Sequence, residues 1–144
     1  MALSERSVGE FLAALGERTP TPASGAATAL TAALAAALVE LAGRFAGDEP
    51  SVRRARALSA RLAELADEDS AAYTAFMAKR TGETRARTIA VPEEIAACAD
   101  EVVVLAGRVR DQLGSSVAGD AEAAAGLARA AAVVARGLAE LNRA

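Results

Sequence analysis

The chain has no histidine and no tryptophan, and it has one cysteine, one tyrosine and three phenylalanines in 144 residues. Without histidine it lacks the commonest general base near neutral pH and the commonest transition-metal ligand. The single cysteine, Cys98, can form no internal disulfide and cannot build a zinc site, so it reads as core filling. No metal is expected, and any chemistry is left to carboxylates, hydroxyls, arginines and the one lysine, Lys79. Basic charge is in short supply as well: 16 Lys and Arg against 19 Asp and Glu give a net charge of -3. With aromatic residues at only 3%, neither a basic field nor a stacking surface is present to hold nucleic acid. Residues 1–15 carry Glu5 and Glu10 and show no basic start followed by an apolar block, so no signal peptide is read. The one long uncharged run, Ala23–Val39, is short and alanine-dominated for a membrane span. A cytoplasmic protein with no membrane partner is the expectation.

What the chain does have is small aliphatic side chains. It is 53% hydrophobic, chiefly through Ala, Leu and Val, which favours helices packed at close range over strands. The length suits one domain. The expected class is all-α: a five-helix bundle over residues 1–144 around a buried, alanine-rich central helix. That helix opens from a loop beginning at Thr19 and runs to Phe45. Leu30, Leu34, Leu38, Leu41 and Phe45 recur every three or four residues and form one stripe, read as the core face. No charge falls between Ala23 and Glu40, so the other faces are nearly apolar and the helix is expected to be buried all round. Its apolar surface exceeds what one small bundle can cover, which points to a homodimer. Ahead of it Pro20 and Pro22 hold the chain extended, and Ser24-Gly25 is read as a permissive turn. Unpaired N–H groups at such a helix start can receive an anion or a carbonyl oxygen.

Ser7-Val8-Gly9-Glu10 has capping-box spacing for a short first helix whose face is Val8, Phe11, Leu12 and Leu15, ending near Gly16. After the central helix, Gly47–Pro50 breaks the pattern, and a third helix is expected from about Ser51 to Arg80. Thr81–Ala90 reads as a polar, mobile connection. Val91-Pro92 then restarts a helix with Ile95, Cys98, Val102, Leu105, Val109 and Leu113 on its face. Asp120 is placed to cap a fifth helix with the stripe Leu127, Val134, Leu138 and Leu141. The arginines at 53, 54, 56 and 61 read as a solvated face.

The third helix carries an anomaly. Its apolar stripe runs Leu58, Leu62, Leu65, then Asp69, then Tyr73 and Phe76, whereas Asp67 falls on the opposite face, where it can stay in water. A carboxylate aimed at a core costs several kcal/mol, roughly, unless it is paired, hydrogen-bonded or protonated. Asp69 is therefore either a core residue bonded to a helix end or an arginine, or the acid of a site. Tyr73, one turn on, shares its cleft or simply packs.

Several segments, in order, resemble the cyclodeaminase/cyclohydrolase family of folate enzymes, the helical module found free in bacteria and as the C-terminal half of formiminotransferase-cyclodeaminase. SVGEFLAALGER (Ser7–Arg18) resembles the N-terminal helix of that family, and Thr19–Val39 its proline-glycine loop and central helix. ELADEDSAAYTAFM (Glu64–Met77) is similar to its aspartate, two-residue gap and Ala-Tyr segment; Val91-Pro92 and Val117–Asn142 continue the match. The resemblance implies closure of 5-formimino-tetrahydrofolate to the 5,10-methenyl form with loss of ammonia, or opening of the methenyl ring by water. It implies a tetrahydrofolate derivative as substrate and no permanently bound cofactor. It places Pro22, Ser24, Gly25, Ala26 and Tyr73 against substrate and gives Asp69 and Asp120 catalytic roles. Two other outcomes stay open: a folate-binding module without turnover, and a structural helical dimer.

Overall fold

The computed structural model describes all residues, Met1–Ala144. A 3-10 turn at Leu3–Glu5 precedes five helices: α1 (Val8–Gly16), α2 (Ser24–Ala46), α3 (Glu49–Ala78), α4 (Gly82–Arg110) and α5 (Ala118–Arg143). The class is all-α, and α2 packs against α3, α4 and α5. By length and composition α2 would pass as a membrane span, but it lies within the bundle.

Local chemistry sets the helix boundaries. Ser7 and Glu10 form the expected capping box on α1, with Ser7 Oγ accepting from the Glu10 N–H at 3.1 Å and Glu10 Oε2 from the Ser7 N–H at 2.8 Å. Gly47 ends α2 in the left-handed region at φ 70°. Asp48 then caps α3, accepting from the Ser51 N–H at 3.1 Å. The stretch 81–90 is not the loose connection its polarity suggested. Thr81 Oγ1 accepts from the Thr84 N–H at 3.1 Å and Thr84 Oγ1 from the Thr81 N–H at 3.0 Å, a reciprocal cap that starts α4 at Gly82. Pro92 lies inside α4 and does not begin it. Asp120 does not cap α5, which starts two residues earlier after Val117. Asp67 is not left to water either: it accepts from the Leu3 N–H at 3.1 Å and ties the N-terminal turn to α3.

The core is built of alanine. On α2 the buried face comprises Ala26, Ala29, Ala32, Ala33, Ala35, Ala36, Val39 and Ala42, whereas Leu34 and Phe45 are 65% and 66% exposed and Leu41 is 42% exposed. On α5 the buried positions are again alanines, from Ala118 through Ala139, while Leu127, Val134 and Leu141 face outward. Of the two leucine stripes read as core faces, Leu34, Leu41, Phe45, Leu127, Val134 and Leu141 thus face outward, whereas Leu30 and Leu38 are half-buried against the core and Leu138 is half-buried at the cleft. The physical reason is approach distance: side chains of one methyl let helix backbones come close, and a leucine at the same place would hold them apart. The larger core side chains come from the facing helices, with Leu58, Leu62 and Leu65 on α3 and Ile95, Val102 and Val109 on α4. Cys98 is half-buried against this core.

Ion pairs stitch the outside. Arg54 pairs with Glu101 and Arg61 with Glu94 at 2.8 Å, joining α3 to α4, and Arg61 also pairs within α3 with Glu68 at 2.6 Å, while Arg53 and Arg56 stay exposed. The expected solvated arginine face is thus half ion-paired seam. Exposed pairs of this kind contribute little each, about 0–1 kcal/mol.

The alanine core predicts sensitivity to added volume. Ala36→Leu should destabilise the fold by about 1–3 kcal/mol, through forced backbone shifts. Urea unfolding of the purified variant measures this.

Candidate functional site

Four parts of the chain meet in one cleft of about 240 Å³: the loop and helix start at Pro20, Thr21, Ala23, Ser24 and Gly25; Asp69 and Tyr73 on α3; Thr88 on α4; and Leu138 and Asn142 on α5. Each wall follows from the sequence around it. The proline loop delivers the chain to α2 without a capping side chain, because the residue before the helix is Ala23. The first backbone bond of α2 is from the Ala27 N–H to the Ala23 carbonyl at 3.0 Å, which leaves the amides of Ser24, Gly25 and Ala26 without backbone partners.

Asp69 sits where the apolar stripe of α3 leaves the core. Leu58, Leu62 and Leu65 are fully buried, Asp69 is half-buried and Tyr73 is 41% exposed. The Asp69 carboxylate makes no salt bridge and no hydrogen bond within the chain, and burial pushes its pKa above the usual carboxylate value. It lies directly on Gly25: a Cβ built on that glycine would overlap all three carboxyl atoms of Asp69. Gly25 is therefore required for space and not for backbone angle, since it has ordinary helical geometry and the only positive φ in the chain is at Gly47. The result is an unpaired acid held against an open, electropositive helix end.

Asp69, Tyr73, Ser24 and Gly25 are thus brought together as the sequence suggested. Ala26 is fully buried in the core and Pro22 does not line the cleft. Asp120 is not brought to it: it stands exposed in the first turn of α5, about 33 Å along the helix from Asn142 at a rise of about 1.5 Å per residue. Thr88, Leu138 and Asn142 were not singled out by sequence. One signal was available, since Pro92 cannot donate to the carbonyl four residues earlier, which is that of Thr88, and so freed a polar group on α4. Asn142 takes it up, its Nδ2 donating to the Thr88 carbonyl at 2.7 Å.

Three larger grooves offer no comparable acid: in one of about 320 Å³ between α3 and α4, Glu68 is bound by Arg87 and Glu83 is exposed, and the other two are of about 480 Å³ each. The one between α4 and α5 has Glu93 and Asp100 bound by Arg143 and Arg136. The other, between α1, α2 and α3, is apolar.

A sequence model of the family described as formiminotransferase-cyclodeaminase matches residues 7–143, which takes in every wall of this cleft. The chain belongs to the formiminotransferase-cyclodeaminase family. Among solved structures, formiminotetrahydrofolate cyclodeaminase from Thermotoga maritima superposes with a TM-score of 0.92 at 22% identity, over 98% of this chain and 80% of that one. At that identity the likeness establishes the fold. Curated sequences give no match. In this member of the formiminotransferase-cyclodeaminase family, the cleft combines one neutralisable acid, one phenol and the helix start at Ser24 and Gly25, whose amides have no backbone partners, a set suited to moving protons on a polar ligand.

The burial of Asp69 gives a stability prediction with a definite sign. Its folded-state pKa lies above the ordinary value of 3.8, so the ionised form costs stability once pH exceeds that value, and no cost remains where both states are protonated. Asp69→Asn should raise Tm near pH 7, with a gain that shrinks to nothing as pH falls below about 3.8. Thermal melts of both proteins across pH test it. Gly25→Ala should leave the fold standing but turn the carboxyl away from α2, since the obstructing group is the end of a side chain. The check is whether the pH-dependent Tm difference between the parent and Asp69→Asn proteins changes when Gly25→Ala is added to both.

Proposed function

We propose that the chain is a cytoplasmic one-carbon folate enzyme that closes 5-formimino-tetrahydrofolate to 5,10-methenyl-tetrahydrofolate and releases ammonia. The observation that carries this reading is the unpaired, half-buried Asp69 carboxyl, raised in pKa by burial, facing a cleft at the free amides of α2. Family membership and the cyclodeaminase named among its structural neighbours support the same direction. Starting from the protonated formimino group, whose terminal nitrogen carries two hydrogens, ring closure forms a bond from N10 to the formimino carbon and breaks both bonds from that carbon to the departing nitrogen. N10 loses one proton, the leaving nitrogen gains one and departs as ammonia, and the positive charge passes to the methenyl ring. A carboxyl that is protonated more readily than usual gives the proton to the leaving group, and its conjugate base takes the one from N10. No metal, cofactor or external oxidant enters this balance, and no resident cofactor is invoked. The cleft is below the roughly 300 Å³ of ordinary ligand pockets, so it suits the ring system, with the rest of the substrate on the surface.

One turn beyond Tyr73, Arg80 and Arg85 stand over the Phe76 ring at 5.3 and 5.9 Å from its centroid. Neither has a carboxylate partner in the chain, and with Lys79 they form the cationic surface for the glutamate carboxylates of the substrate. The outward apolar stripe supports a homodimer. Leu34 and Phe45 on α2 join Val8 and Leu12 on α1, which are 76% and 60% exposed, and one edge of this surface is the apolar groove. Isologous pairing of that face would bury it.

Purified protein incubated with 5-formimino-tetrahydrofolate should release ammonia with appearance of the methenyl absorbance. Asp69→Asn should lower kcat by about 10²- to 10⁴-fold with substrate affinity retained. Binding without turnover in the parent protein would leave a folate-binding module, and consumption of the methenyl form with water would make ring opening the reaction. Leu34→Arg should convert the dimer to monomer in sedimentation equilibrium; an unchanged mass, whether monomeric or dimeric in both proteins, removes this face as the interface.

A further inference from the structure

Pro92 sits within α4, and its missing N–H leaves the Thr88 carbonyl without its helical donor. An unpaired carbonyl in a helix wall is costly, so something must bind it. The donor is Asn142, from the last turn of α5, at 2.7 Å. This bond also settles the amide's orientation. A carbonyl oxygen only accepts, so Nδ2 must face Thr88 and Oδ1 must point away from it. Oδ1 has no partner within the chain, and Asn142 lines the same cleft as Asp69 and Tyr73. Thr88 is held as well, its Oγ1 donating to the Arg85 carbonyl at 2.7 Å.

We infer that Pro92, through the carbonyl it frees on Thr88, fixes Asn142 as a substrate-binding residue whose Oδ1 accepts a hydrogen bond from an N–H of the ligand's nitrogen heterocycle. This rests on the reading of the cleft as a folate site and adds what orients the ring within it. Asn142 then offers an acceptor on α5, the donors come from the Ser24 and Gly25 amides of α2, and Asp69 is left for proton transfer. A ring with an N–H turned toward α5 satisfies Asn142. One that has oxygen acceptors there leaves Asn142 unpaired. Proline serves as a positioning residue, because a residue with an N–H at 92 would claim the Thr88 carbonyl and release the amide to rotate.

The test uses the full chain, with 5-formimino-tetrahydrofolate for turnover and 5-formyl-tetrahydrofolate for binding. Asn142→Ala should raise KM and the Kd of the formyl compound about tenfold, the scale of one lost hydrogen bond, with kcat changed less than about threefold. Asn142→Leu, close in size but with neither donor nor acceptor, should do the same and serves if the alanine variant folds poorly. Pro92→Ala should raise KM in the parent background but have no further effect beside Asn142→Ala, a coupling that mere helix destabilisation would not produce. A KM within about twofold of the parent in a folded Asn142 variant, or additive effects of the two changes, overturns the inference and leaves the folate reading intact. A parent protein that neither binds nor converts either folate overturns both.

Discussion

The close approach of α2 to α3 is the constraint from which the rest of the molecule follows. It depends on small residues on one helix and large ones on the other: the buried positions of α2 are almost all alanine, and the large buried side chains of α3 are Leu58, Leu62 and Leu65. At the end of the contact the pairing reaches its limit, with a residue that has no side chain, Gly25, against a carboxyl, Asp69. Larger side chains on α2 would separate the helices and open that contact. A small-residue core thus does two things at once. It supplies stability by dense packing, and it holds an acid half out of water with no counter-charge.

The same arrangement determines where the large apolar side chains go. With alanine turned inward on α2 and α5, Leu34, Leu41, Phe45, Leu127 and Leu141 face outward, and apolar side chains are left exposed on α1 and α2 of a single chain. The site end of the bundle is finished differently, by polar exceptions to helix regularity: the uncapped start of α2, the proline within α4 and the last turn of α5. These irregularities converge on one cleft.

The sequence was informative where a residue broke a pattern and misleading where a pattern was regular. Asp69 stood out because a charge interrupted a stripe of leucines, and the cleft does contain it beside Tyr73 and Ser24. The helix count, the cap at Ser7 and the break at Gly47 were legible from local chemistry. The leucine stripes on α2 and α5 were not, because hydrophobic period reports that a face is apolar but not which of two apolar faces the closest packing demands. The polarity of Thr81–Ala90 suggests a loop, although reciprocal threonine capping starts a helix there. Asp120 reads as a cap from its local position and as a site residue only from the resemblance, and it lies at the end of α5 away from the cleft. Asn142 was beyond reach, because its partner is 54 residues away and the reason for their bond is an N–H that Pro92 lacks.

Everything proposed for the cleft requires that the Asp69 carboxyl be unpaired, sheltered and open to a ligand. Carbon-13 NMR titration of the protein labelled at aspartate side-chain carboxyls, with Asp69→Asn to assign the signal, measures this directly. Asp69 is expected to titrate above the ordinary 3.8, and its signal to move when a non-reactive reduced folate is added. A carboxyl that titrates at or below 3.8 and ignores the ligand would be ion-paired or fully solvated, and would contradict the role given to it here.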